Sequence, residues 1–399
     1  MQYRKMGSLD WEVSALGFGC MRLPSRRFSL MGADLEESRR IIRYGIDRGI
    51  NYIDTAWPYH LGESEKIVGE TLKDGYREKV KLVTKLPMFL VHRRADFERF
   101  LNVQLDRLAT DYIDIYLFHA LNADSFQRVK NLGLIEKMEE AQRQGRIRHI
   151  GFSFHDTYPV FKEIIDYYDW DMAQIQYNYM DTCIQATTDG LEYAHSKGIA
   201  VVIMEPVKGG TLANPPQEAA DVIAGAPVQR SPVDWALQFL WNKPEIATVL
   251  SGMSNMQQVV ENCDSAAQSG VDSLSREENQ VIDRLAEIYQ KEILVPCTGC
   301  EYCMPCPHGV NIPQNFAILN NISLEKSWVR RIQTRRAYRK LAGGPPRLDL
   351  DHPNGNASVC IYCGECLEKC PQGIEIPDEL EKVHAVLGRG DAVGKHFPR

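Results

Sequence analysis

Eight of the eleven cysteines in this chain fall into two short strings near its C-terminal end. Cys297, Cys300, Cys303 and Cys306 stand in CTGCEYCMPCP, and Cys360, Cys363, Cys366 and Cys370 in CIYCGECLEKCP. Thiolates at every third residue of a compact loop can wrap three corners of an iron-sulfur cube while a fourth ligand arrives from elsewhere, and such runs end in Cys-Pro, as both of these do. The expected chemistry is one-electron transfer. Paired CxxC steps also build tetrahedral zinc sites, and dense cysteines can form a disulfide framework. Four closely spaced cysteines ending in Cys-Pro, occurring twice, exceed what one tetrahedral site requires.

A second constellation carries proton chemistry. Asp54 closes the apolar run NYID, Tyr59 follows in the same loop, Lys85 closes VTK and His119 closes YLFH. A buried lysine held by a carboxylate stays cationic and lowers the proton affinity of a neighbouring phenol, so Tyr59 becomes a usable acid near neutral pH. Each residue alone also has an ordinary reading, as a helix cap, a loop aromatic, a solvated tip or a satisfied core histidine. Their shared place at the ends of successive apolar runs is what points to chemistry.

Those runs define the elements that must position them. ALGFG (15–19), INYID (50–54), VKLV (80–83), YIDIYLF (112–118), IRHIGF (147–152), AQIQY (173–177), IAVVIM (199–204) and IATVL (246–250) read as strands. Between them, segments such as DFERFLNVQLDRL place Phe97, Leu101, Leu105 and Leu108 on one helical face. Strand and helix alternating in this way give either a closed barrel or a doubly wound sheet. Gly17 and Gly19 form GFG without the third glycine of a dinucleotide-binding turn, which favours the barrel. In a barrel, residues at the carboxyl ends of strands face the active site. The expected fold is α/β: a (β/α)8 TIM-type barrel over 1–274, a linker helix over 275–294 opened by a Ser275/Glu278 capping box, and a small, mainly α iron-sulfur domain over 295–399.

Residues 1 to about 270 resemble the aldo-keto reductase family, through DTAWPYHLGESEKIVG, DYIDIYLFH, GFSFH, QIQYN and ENCDSA. The resemblance implies that Asp54, Tyr59, Lys85 and His119 form the catalytic tetrad, with a nicotinamide cofactor passing hydride to a carbonyl carbon while the tyrosine protonates the oxygen. It also implies that Ser153 and Gln174 hold the carboxamide, that Glu261 and Asn262 contact adenine, and that Gly252 forms the turn before them. Phe154 stands where many members have asparagine, and Met204 where many set an aromatic ring against nicotinamide. In SGMSNMQQVVEN, Gly252, Met253 and Gln258 replace the lysine, serine and arginine that grip a 2′-phosphate. NADH is therefore favoured over NADPH, with Lys208 as a charge that another loop could supply.

The cysteine strings resemble those of two-cluster ferredoxins, in which the cysteine before proline serves the other cluster. By that resemblance Cys297, Cys300, Cys303 and Cys370 hold one 4Fe-4S cluster, and Cys360, Cys363, Cys366 and Cys306 the other. The first string is one residue short before Cys306. A barrel joined to such a dicluster ferredoxin-like segment resembles a recognised branch of the family, described only as predicted oxidoreductases.

The remaining expectations concern surroundings. Arg22 and Trp57 are expected on the substrate side, Arg22 to hold a carboxylate or else to pair an acidic loop. A net charge of −7 argues against nucleic-acid binding, although Arg330, Arg331, Arg335, Arg336, Arg339 and Lys340 form a basic run that is either a solvated helix face or a redox-partner surface. With no signal-like or spanning segment, the expected location is the cytoplasm. The function is read as nicotinamide-dependent reduction of a small carbonyl, or oxidation of an alcohol, coupled to electron transfer through two clusters. The alternative is an electron-transfer protein or redox sensor whose barrel binds nucleotide or a partner without carbonyl chemistry.

Overall fold

The computed structural model describes residues 1–24, 33–324, 328–341 and 355–398. Two strands, β1 (Tyr3–Lys5) and β2 (Glu12–Ser14), pair antiparallel ahead of the barrel. Eight parallel strands then close on themselves: β3 (Leu16–Gly19), β4 (Tyr52–Asp54), β5 (Lys81–Leu86), β6 (Ile113–Leu121), β7 (Ile147–Phe154), β8 (Met172–Gln176), β9 (Ala200–Met204) and β10 (Ile246–Ser251). Each overlaps one of the eight runs read from the sequence.

Side chains alternate across a strand, so one set fills the barrel and the other meets the helices. Tyr52, Val83, Ile115, Leu117, Met172, Ala200 and Val202 form the inner layer, with Met6 and Val13 of the N-terminal hairpin packed into the same cluster. Ile53, Leu82, Tyr116, Phe118, Phe152 and Phe154 belong instead to the annulus under the helices. Continuing the inward parity toward the carboxyl ends reaches Asp54, Lys85, His119, Ser153, Gln174 and Met204. The hairpin was not anticipated from the sequence, because three-residue strands carry too little alternation to register.

The chain divides into two compact units: Met1–Pro206 with Val233–Ser275, and Val207–Pro232 with Arg276–Arg399. The sequence boundaries kept 207–232 inside the barrel domain and treated 275–294 as a linker. In the structure the helix Arg276–Glu292 packs with the helix Gln217–Ala224 in the second unit, and Arg230 pairs with its Glu278 at 2.7 Å. Gly209 explains the close fit of the 207–232 segment. Its φ is 63°, and an added Cβ would lie 1.9 Å from the carbonyl oxygen of Thr298, beside the first cysteine string. The described remainder of this unit holds helices between the cysteine strings and after the second, and has its own apolar cluster, built on Val310, Phe316, Leu319, Tyr338, Leu380 and Val386. No described helix is long and apolar enough to cross a membrane.

Candidate active site and thiol cavities

At the carboxyl end of the barrel the structure brings the four expected catalytic residues together. Lys85 is fully buried, and its Nζ donates to both carboxylate oxygens of Asp54 at 2.6 and 2.8 Å and to the carbonyl of Thr55 at 2.9 Å. The same Nζ lies 5.1 Å from the centroid of the Tyr59 ring. The Tyr59 and His119 rings meet edge to face with centroids 6.1 Å apart. Burial raises the carboxyl of Asp54 against the pull of Lys85 in the opposite direction. The His119 imidazole is pushed well below its ordinary value by burial, then by Lys85 and His155, so it is neutral at physiological pH.

The loop carrying Tyr59 is held in an uncommon conformation. His60, Leu61 and Gly62 all have positive φ (51°, 54° and 87°), which for the first two is strained backbone. Supports surround the loop. His60 Nε2 accepts from the backbone N–H of Leu23 at 3.1 Å. Beneath it, buried Glu65 accepts from Thr84 at 2.7 Å and pairs with Arg107 at 3.0 Å, while Gln104 donates to Glu65 and, at 3.0 Å, to the carbonyl of Lys85. Sequence reading passed over Glu65, Gln104 and Arg107. The adjacent Ser-Glu pair in GESEK was their one local trace.

Trp57 packs on this support: its ring meets Phe100 edge to face at 4.7 Å and lies 3.9 Å under the Arg107 guanidinium. Arg22 runs its aliphatic stem past Gly252, where an added Cβ would come 3.4 Å from Arg22 Cβ. Phe89 and His155 were also missed. The exposed Phe89 ring lies 6.5 Å from that of His119, and His155 hydrogen-bonds Gln185 through Nδ1 at 3.2 Å.

Among the residues expected to bind a nucleotide, Ser153 Oγ accepts the backbone N–H of Ala120 at 2.8 Å, leaving its own proton to donate. Gln174 is buried, its Nε2 lies 3.8 Å from Met204 Sδ, and its Oε1 has no hydrogen-bond partner. A donor hydroxyl beside an orphaned acceptor is complementary to a primary carboxamide, so these residues fit a nicotinamide. Phe154 falls on the outward parity of β7 and packs against Phe161 at 5.0 Å. Asn262 is buried and donates to Ser251 at 2.9 Å, whereas Glu261 is exposed and accepts from Gln257. Lys208 belongs to the second unit and is buried there.

In that second unit all eight string cysteines are free of disulfides. Two cavities adjoin them. One is lined by Cys297, Cys300, Cys303 and Cys370. The other is lined by Cys303, Cys306, Cys360, Cys363 and Cys366. The thiols feel one another in the same groups: burial first, then Cys300, Cys297 and Cys370, raise Cys303, and Cys306 and Cys363 are among the groups that raise Cys360. At least four thiols at each cavity fit the four-cysteine ligation of an iron-sulfur cluster. Of the basic run, the side chains of Arg330, Arg331 and Lys340 lie outside the described residues, and Arg335 reaches the carbonyl of Gly390 at 3.4 Å.

The model of the aldo/keto reductase family matches residues 15–287. The chain belongs to the aldo/keto reductase family. A 4Fe-4S dicluster domain matches residues 296–375. The oxidoreductase YqkF of Bacillus subtilis is 27% identical over 298 residues, covering 67% of this chain and 91% of its own. An aldo-keto reductase from Bacillus halodurans, in its holo form, superposes with a TM-score of 0.60 at 30% identity, over 71% of this chain and 96% of its own. An aldo/keto reductase from Klebsiella pneumoniae, in complex with NADP and acetate, gives 0.60 at 26% identity over 71% and 95%. This family member is thus an oxidoreductase with an iron-sulfur domain appended to its barrel.

Proposed function

We propose that the barrel reduces a small carbonyl compound with a nicotinamide cofactor, and oxidises the matching alcohol in reverse, while two 4Fe-4S clusters in the second unit exchange electrons with a partner protein. The observation that carries the catalytic half is the fully buried Lys85–Asp54 pair set against Tyr59 and His119. The nicotinamide would supply hydride to the carbonyl carbon. Ser153 would donate to its carboxamide and Gln174 accept from it, fixing which face of the ring meets the substrate. Tyr59 gives the developing alkoxide its proton, and the Lys85 ammonium favours the phenolate left behind. Asp54 holds that Nζ in place through both carboxylate oxygens. Neutral His119 donates a hydrogen bond to the substrate oxygen without competing for the proton. The test is NADH and NADPH oxidation with a panel of aldehydes and ketones, in which no turnover by any of them rejects the reading.

The grouping of thiols around two cavities favours Cys297, Cys300, Cys303 and Cys370 as ligands of one cluster, and Cys306, Cys360, Cys363 and Cys366 as ligands of the other. It also keeps open the reading of an electron-transfer protein or sensor. Hydride carries two electrons and each cluster passes one, so direct coupling needs a two-to-one converter. Following cluster bleaching by NADH without air separates the two: rapid reduction in the absence of carbonyl supports coupling, and its absence leaves the barrel and clusters as separate functions. The missing 2′-phosphate grip at Gly252, Met253 and Gln258 favours NADH.

A further inference from the structure

Large apolar side chains are left exposed in a concentrated group on the second cysteine string: Val359 (40%), Ile361 (61%), Tyr362 (49%) and Leu367 (38%). The first string has no counterpart, since no exposed large hydrophobic residue falls within 297–306. The four flank or separate Cys360, Cys363 and Cys366, and Cys363 is itself exposed. Exposed apolar groups in such a patch, rimmed by polar ones, mark an interaction surface.

Its centre is anchored. Tyr362 donates its hydroxyl to Glu381 at 2.7 Å, so the ring is held in place before any partner arrives. Rigid tyrosines at the centre of a patch are frequent hot spots. The rim has a sign. Across residues 359–382 stand Glu365, Glu368, Glu375, Asp378, Glu379 and Glu381 against Lys369 and Lys382. The two lysines are themselves paired, Lys369 with Glu365 at 4.0 Å and Lys382 with Glu379 at 2.6 Å.

We propose that this apolar, acid-rimmed face of the second cysteine string is the docking site of a small one-electron carrier protein that has a basic rim around its own redox centre. The proposal rests on the cluster reading above. The cluster these thiols would hold would, once reduced, supply one electron to one oxidised centre in the carrier, with no proton moved. Tunnelling falls steeply with distance, so the carrier must seat over the most exposed thiol. Electrostatic complementarity at the rim speeds encounter, and the apolar centre fixes the pose.

The test uses the full-length protein with its clusters, purified without air. Iron and sulfide are measured first, and their absence from the wild type would defeat the cluster reading and this inference together. The probe is a basic c-type haem protein. Its redox-inert zinc-porphyrin form reports affinity, its ferric form reports electron exchange after dithionite reduction, and methyl viologen serves as a small acceptor. Ile361→Gln is expected to raise the dissociation constant about tenfold. Glu365→Lys with Glu368→Lys is expected to do the same and to flatten the salt dependence. Iron content and exchange with methyl viologen stay unchanged in both. Unaltered affinity in both variants overturns the proposal, as does an equal slowing with carrier and dye, or tighter binding of an acidic ferredoxin than of the basic carrier.

Discussion

The Lys85–Asp54 pair can be tested by taking it apart one charge at a time. Lys85 makes three hydrogen bonds, two of them to Asp54, and the side chains are 1% and 3% exposed. Asp54→Asn keeps the shape but leaves a buried ammonium with neutral acceptors only. Breaking a buried pair in this way costs about 3–5 kcal/mol, which for a domain of this size lowers the melting temperature by roughly 6–20 °C. Lys85→Met is the milder change. Burial already raises the Asp54 carboxyl, and without the ammonium it takes up a proton. Because a carboxyl raised in the folded state binds its proton more tightly there than in the unfolded chain, the stability of this variant is highest at low pH. It falls as pH climbs from the ordinary carboxylate range through the raised value. The double variant has no buried charge and should recover most of the loss, giving a coupling of about 3 kcal/mol. Tryptophan fluorescence reads the transition, since Trp11, Trp57, Trp170, Trp235 and Trp241 all lie in the barrel unit. The double variant should be stable yet inactive. Additive losses would refute the claim that the two charges are held for each other.

Four further outcomes follow from the same geometry. Tyr59→Phe should lower carbonyl reduction by about 10²–10⁴-fold while NADH titration by fluorescence gives near wild-type affinity. His155 is pushed down to about 4 by burial, so the unfolded chain binds its proton first. Up to about 3 kcal/mol of stability should be lost as pH falls from about 6.5 to 4, and His155→Gln should flatten that part of the denaturant-unfolding profile. Gln174→Ala removes the orphaned acceptor and should weaken nicotinamide nucleotide binding about tenfold, for a cost of about 1.4 kcal/mol, measured by calorimetry. Cys370→Ser should reduce iron from about eight toward about four per chain and spare the cluster of Cys360, Cys363 and Cys366. Loss confined to that second string would show the crossed assignment to be wrong.

Much of this was legible in the linear sequence because the signals are local. Apolar runs at regular intervals gave the eight strands, and the same period-two rule that fills the barrel carried Asp54, Lys85 and His119 to its carboxyl end. Cysteine spacing announced an iron-sulfur segment for the same reason, since one short loop supplies most of a cluster's ligands. Parity likewise turns Phe154 outward against Phe161. What the sequence could not supply was everything set by long-range packing. The buried support of Glu65, Gln104 and Arg107 under Lys85 joins residues 19 to 42 positions apart in the chain, and no periodicity links them. Val207–Pro232 follows a barrel strand in sequence but folds with the cysteine-bearing unit, because Gly209 fits against Thr298 and the helix Gln217–Ala224 packs on Arg276–Glu292. The crossed grouping of Cys370 and Cys306 came from the resemblance to two-cluster ferredoxins, and the structure adds that Cys370 lines a cavity with the first string and Cys306 one with the second. Local patterns determine which elements form and which face each side chain takes; only closure of the chain decides which distant side chains come to share a buried space.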